Sequence, residues 1–186
     1  MIGGYRVSIS RIDQHRAIKK IDELLGEGKW CKDRPAYQTY DDLWRYGPLK
    51  IFASSFLDAC EKYSYMDLRR YPYTNLSDHS KINLKGFRMW CYMDHRNNPY
   101  VKKDWDYWHH HYVASKGVPW PQGTKGLSGI YYLRNPRNVK TLFRGEESPK
   151  PEPFTWFIFP SFLVHRSLPI KSWRKRYTLS ADLHFV

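Results

Sequence analysis

The chain is poor in cysteine and in acidic residues, and it holds no long apolar run. Its three cysteines, Cys31, Cys60 and Cys91, are widely spaced, with no Cys-x-x-Cys among them. That pattern excludes a disulfide framework, a zinc ribbon and thioredoxin-like redox chemistry. The longest apolar stretches, such as Phe157-Ile158-Phe159, are far too short to span a bilayer as a helix, so no membrane partner is expected. Met1–Tyr5 carries no apolar leader segment, so the expectation is a cytoplasmic, reducing location with buried free thiols.

What is present is aromatic and basic. Of 186 residues, 41% are hydrophobic and 17% aromatic, enough to build a core and to exclude global disorder. Thirty-one Lys and Arg against eighteen Asp and Glu give a net charge of +13, a field that attracts polyanions and anionic small molecules. The basic residues form no single tail; they gather at Lys19-Lys20, Arg69-Arg70, Arg134–Arg144 and Arg166–Arg176. Nucleic acid is therefore a candidate partner, although no RNA-recognition or helix-turn-helix signature accompanies the charge.

The first eighty residues read as helical. Ser10 is placed to cap a helix with Asp13 three residues on, and Ile18, Ile21 and Leu25 continue one helical face to Gly26. A short helix is expected from Thr39, stopping at Gly47-Pro48. Leu49, Phe52, Ala53, Phe56, Leu57 and Cys60 form the clearest apolar stripe. Arg70–Ser80 reads as a loop. From Lys81 the pattern changes to short β-forming segments: Ile82–Met93, Trp105–Val113, Ser128–Leu133, Val139–Phe143, Phe154–Phe159 and Arg174–Phe185. Asp94–Lys103, with Asn97-Asn98-Pro99, reads as a loop, and Ala114–Gly126 as a lid or binding loop. The expected organisation is a helical region, 1–80, packed on an antiparallel sandwich or barrel, 81–186, as one compact domain.

Three of the eight histidines are consecutive: His109, His110 and His111. On a strand His109 and His111 share a face, with Cα atoms about 6.6 Å apart, while His110 faces the other way. Two imidazoles so placed can share a metal ion, and His165, just after a strand end at Phe159-Pro160-Ser161, is the best candidate for a third ligand. The alternative is a packing strand among Trp105, Tyr107, Trp108 and Tyr112. Imidazole alone does not choose between zinc, copper, iron and nickel. On the last strand, Arg174, Arg176, Thr178, Ser180 and Asp182 alternate with Tyr177, Leu179, Ala181 and Leu183. If the apolar face meets the helices, Arg176 points into the barrel, where it needs an anion. No acidic residue of the chain is obviously assigned to it, and a ligand carboxylate gripped by the guanidinium would serve.

These pieces, in this order, resemble the 2-oxoglutarate/Fe(II)-dependent oxygenases, and among them small phage and bacterial members related to the prolyl hydroxylases. The likeness rests on His109-His110-His111, Leu127–Leu133, Ile158–His165 and Arg176–Ser180, with Phe87–Tyr92 resembling the strand before the first histidine. It covers roughly 82–186. The resemblance implies a mainly β core of the double-stranded β-helix (jelly roll, cupin-like) kind, α+β overall with the N-terminal helices as a brace. It implies Fe(II) held by His109, His111 and His165, 2-oxoglutarate gripped by Arg176 with hydroxyl contacts from Tyr132 and Thr178, and oxygen as cosubstrate. Tyr132 would point inward and Tyr131 outward.

One position departs from the family pattern. Residue 111 is His where the family usually has a carboxylate, so three imidazoles leave the centre one negative charge short. His111 as a true ligand, a carboxylate such as Asp94, Asp104 or Asp106 swinging in, and a degenerate site are the three readings, the first being favoured. The implied activity couples oxidative decarboxylation of 2-oxoglutarate to hydroxylation of a protein, peptide or nucleic-acid substrate. The competing functions are a three-histidine cupin-type dioxygenase working without 2-oxoglutarate, and a non-catalytic basic jelly-roll module.

Overall fold

The computed structural model describes residues 2–31, 37–64, 87–96, 108–111 and 126–184. Helix α1 (Arg11–Gly26) starts where the capping signal put it. The Ser10 hydroxyl accepts from the Asp13 N–H at 3.1 Å, and the Asp13 carboxylate accepts from the Ser10 N–H at 3.3 Å. This reciprocal pair satisfies two donors that the helix itself cannot. Helix α2 (Gly47–Ser64) buries the whole stripe Leu49, Phe52, Ala53, Phe56, Leu57 and Cys60.

The short helix expected from Thr39 does not form. Thr39 bridges Trp30 instead, and its hydroxyl accepts the Cys91 N–H at 2.9 Å, which ties this segment to a strand. Only Leu43–Arg45 makes a single 3₁₀ turn. Gly47-Pro48 opens α2 rather than ending a helix, because a proline in the first turn forfeits an N–H that has no intrahelical acceptor.

Six strands form one antiparallel sheet. Their ranges are β1 (Gly3–Arg6), β2 (Tyr37–Gln38), β3 (Phe87–Asp94), β4 (Gly126–Arg134), β6 (Thr155–Pro160) and β8 (Arg176–His184), in the order β1-β6-β4-β8-β3-β2. A smaller sheet pairs β5 (Thr141–Phe143) with β7 (His165–Ser167), and His109 adds a bridge to its edge at His165. Strands β1, β2 and β7 had no counterpart in the sequence reading. Asp94, expected to open a loop, is the last residue of β3. Of the expected strand Trp105–Val113, only 108–111 is described, and there the one pairing is that single bridge. The loop Arg70–Ser80, the turn Asn97-Asn98-Pro99, Asp104, Asp106 and 114–125 of the expected lid lie outside the described residues.

Strand alternation divides the large sheet into two faces. One carries Phe87, Met89, Cys91, Tyr131, Trp156, Ile158, Tyr177 and Leu179, all buried against the apolar stripes of α1 and α2. The other carries the polar series Arg88, Asp94, Ser128, Arg176, Thr178 and Asp182 together with Ile130, Tyr132, Phe157 and Phe159, and the small sheet packs on it through Phe143. Among the described residues the architecture is the mainly β jelly roll braced by N-terminal helices that the sequence led us to expect.

Candidate metal centre

Residues 108–111 are pinned to the small sheet by backbone. The His109 and His165 N–H groups exchange hydrogen bonds with each other's carbonyls at 2.9 and 2.8 Å, and the His111 N–H donates to the Ser161 carbonyl at 3.0 Å. The Trp108 ring is flanked by the Arg144 and Arg166 guanidinium groups, at 5.1 and 4.8 Å from its centroid. These ties bring three imidazoles together. Candidate ligand nitrogens of His109, His111 and His165 all lie within 4.8 Å of one another, close enough to hold one metal ion. His110 is exposed and is not part of the cluster.

His165 is 3% exposed and sits against Phe143 and Phe159. Burial first, then the neighbouring His111 and His109, hold its imidazole well below the ordinary histidine range. It is thus neutral at pH 7. Its Nδ1–H donates to the Leu163 carbonyl at 2.9 Å, which leaves the Nε2 lone pair for a metal. On His111, Nδ1 lies 2.7 Å from Asp182 Oδ1. Asp182 is fully buried and is also met by the Ser128 hydroxyl at 2.7 Å and Arg88 Nη2 at 3.1 Å.

The same face of β8 carries Arg176 and Thr178. Arg176 is 1% exposed, and one nitrogen, Nη2, lies 3.3 Å from Asp94 Oδ2. Asp94 stands directly across β3 from Arg176 in the ladder. The reading that no acid faces Arg176 is therefore corrected: cross-strand register supplies one. Asp94 is not among the clustered metal-site groups either. Even so, Arg176 Nε, Arg176 Nη1 and Thr178 Oγ1 are buried with no hydrogen-bond partner among the described residues. Leaving such donors empty costs about 1–3 kcal/mol each, more for a charged group, so the cradle suits a carboxylate-bearing ligand.

Tyr132 does point inward and Tyr131 outward, onto Phe52 and Trp156. The Tyr132 hydroxyl is engaged by Thr141, whose Oγ1 lies 2.9 Å away and whose N–H donates to it at 3.1 Å. It can donate to a ligand only when the Thr141 hydroxyl donates to it. Tyr92 lies in the same cross-strand row as Thr178 and Tyr132, and burial, with Asp94 close by, pushes its phenol well up.

The residues that sequence reasoning missed are Asp182, Arg88 and Ser128. The alternation along β8 put Asp182 on the polar face with Arg176, but its partners lie across the sheet. The three-histidine donor set fits a metal ion, and the donors of Arg176 and Thr178 that have no partner among the described residues fit a carboxylate-bearing ligand.

No family model matches the sequence, and no curated protein is similar to it. Solved structures do share its fold. A prolyl-4-hydroxylase from Pseudomonas putida superposes with a TM-score of 0.60 at 10% identity, over 100% of this chain and 92% of that one. A viral collagen prolyl hydroxylase from Paramecium bursaria Chlorella virus 1 gives 0.56 at 14%, covering 100% and 90%. The non-haem α-ketoglutarate-dependent epimerase SnoN of nogalamycin biosynthesis gives 0.60 at 11%, covering 97% and 76%. At such identities the likeness is one of fold, and a hydroxylase and an epimerase both wear it.

Proposed function

We propose that this protein is an Fe(II)- and 2-oxoglutarate-dependent oxygenase that hydroxylates its substrate. The observation that carries the reading is the pairing of the His109, His111 and His165 cluster with unfilled donors of Arg176 and Thr178 in one jelly roll. In this reading the three imidazoles hold iron, Arg176 grips the far carboxylate of 2-oxoglutarate, and Thr178 donates to the same group. Tyr132 lies on the same inner face, its hydroxyl bonded to Thr141. Iron with 2-oxoglutarate and oxygen supplies the oxidising chemistry when bound, coupling loss of carbon dioxide to hydroxyl transfer.

The remaining work falls to the chain. Leu163 keeps a proton on His165 Nδ1 and so aims Nε2 inward. Phe143 and Phe159 wall the His165 ring from water, which strengthens every polar contact beside it. The prolyl hydroxylases that share the fold make a peptide side chain the first substrate to try. The +13 charge makes a nucleic-acid base the second.

A three-histidine dioxygenase that dispenses with 2-oxoglutarate is favoured by the donor set alone, and Arg176 separates the two readings. The test is an anaerobic titration with Fe(II) and 2-oxoglutarate, following the visible metal-to-ligand charge-transfer band. The wild type is expected to develop the band and His165→Ala to lose it. Arg176→Ala should need at least ~10-fold more 2-oxoglutarate, because a charge-assisted pair is lost. Iron binding without a band would move the second reading ahead, and no iron binding at all would leave a binding module.

A further inference from the structure

We propose that Asp182 is the carboxylate of this centre, acting from one residue further out: a positioning residue that works through His111. The inference rests on the three histidines holding a metal. Where a carboxylate at position 111 would place its charge directly on the ion, this chain places an imidazole there and a buried carboxylate 2.7 Å behind it.

The sheet itself builds the cradle. Arg88, Asp182 and Ser128 stand side by side in the ladder on β3, β8 and β4. Ser128 donates to Oδ1 at 2.7 Å and Arg88 Nη2 to Oδ2 at 3.1 Å, so the carboxylate is held from both edges. Ser161, whose backbone carbonyl receives the His111 N–H, has its hydroxyl 3.0 Å from that of Ser128. The ring of His111 also lies against Trp90, with centroids 5.2 Å apart.

An ionised carboxylate only accepts, so the His111 proton sits on Nδ1 and Nε2 carries the lone pair. Such an outer carboxylate fixes the tautomer, orients the ring and raises its basicity. Arg88 reaches two carboxylates, Asp182 at 3.1 Å and Asp41 at 3.8 Å. The net negative charge that three imidazoles lack is returned through His111.

Zn(II) and Co(II) binding to the full chain, each metal alone, tests the proposal in two backgrounds. Asp182→Asn keeps the shape and removes the charge. It is expected to weaken metal binding by ~10- to 100-fold in the wild-type background. Combined with His111→Asp, which puts a carboxylate directly on the ion, the same change should cost nothing or strengthen binding, since it then relieves repulsion between two carboxylates. A purely structural Asp182 would cost the same in both backgrounds, and that result would overturn the proposal. So would undiminished binding by Asp182→Asn alone. Failure of the unmutated protein to bind either metal would instead sink the metal reading beneath it. Long-range ¹H–¹⁵N spectra of the unmutated Zn(II) form need no variant. They should report His111 protonated at Nδ1 and metallated at Nε2, and metal at Nδ1 would overturn the proposal outright.

Discussion

Arg176 and Asp94 face each other nearly out of reach of water, at 1% and 2% exposure, through a single contact of 3.3 Å. One contact leaves the rest of the guanidinium unfilled, and Asp94 also receives the Ile170 N–H at 3.4 Å. Removing one partner of a buried pair strands the other charge, at a cost of about 3–5 kcal/mol. Asp94→Asn should therefore lower the thermal midpoint of the ligand-free protein. It should also enlarge the upward shift of that midpoint on adding 2-oxoglutarate, because the ligand carboxylate then meets an uncompensated cation. Differential scanning of both proteins with and without 2-oxoglutarate checks this, and equal shifts would detach Arg176 from the carboxylate. The clustering of His109, His111 and His165, and the inward face shared by Arg176 and Thr178, were legible in the sequence because each belongs to a short ordered pattern. Asp94, Arg88, Ser128 and the role of Asp182 were not, because their meaning comes from which residue stands opposite on the neighbouring strand. Register of that kind is set by the whole sheet.

Elements with local signals were the readable ones. A capping box and an apolar stripe at helical spacing locate α1 and α2 without help from the rest of the fold. Strands β1 and β2 are short edge strands defined by a partner, β6 and β3, rather than by alternation of their own. The Phe56 ring of helix α2 lies directly over Gly129 on β4. A Cβ there would meet Phe56 Cε2 at 2.6 Å and Ile158 Cδ1 at 3.0 Å, on a ring packed against Trp156 and Phe87. A methyl group cannot enter without moving that ring. Gly129→Ala should cost about 1–3 kcal/mol by overpacking, and Phe56→Leu should recover part of the loss in the double variant. Chemical denaturation of the four proteins measures the coupling, and additive losses would mean that α2 is free to shift away from β4.

At the scale of the molecule, one sheet serves two purposes through its two faces. The strands that carry Arg88, Ser128, Arg176 and Asp182 inward carry Met89, Tyr131, Tyr177 and Leu179 outward, and those outward residues are buried in a core that α1, α2 and Leu43 complete. Tyr177 is also tied to α1 directly, its hydroxyl donating to Asp22 at 2.7 Å. Each large side chain uncovered would forfeit about 1.5–3 kcal/mol of burial, and many would be uncovered together, against a total stability of only about 5–15 kcal/mol for a domain. Residues 81–186, though they hold every proposed site residue, should therefore not fold alone. Expressed by themselves they should bind a hydrophobic dye, melt without a cooperative transition and take up no Zn(II), whereas the full chain melts in one step. A cooperative melt with metal uptake by 81–186 would make the helical region a separate unit. The expected failure would instead mean that the helices keep the register of β3, β8 and β4, and with it the alignment of Arg88, Asp182 and Ser128 behind His111.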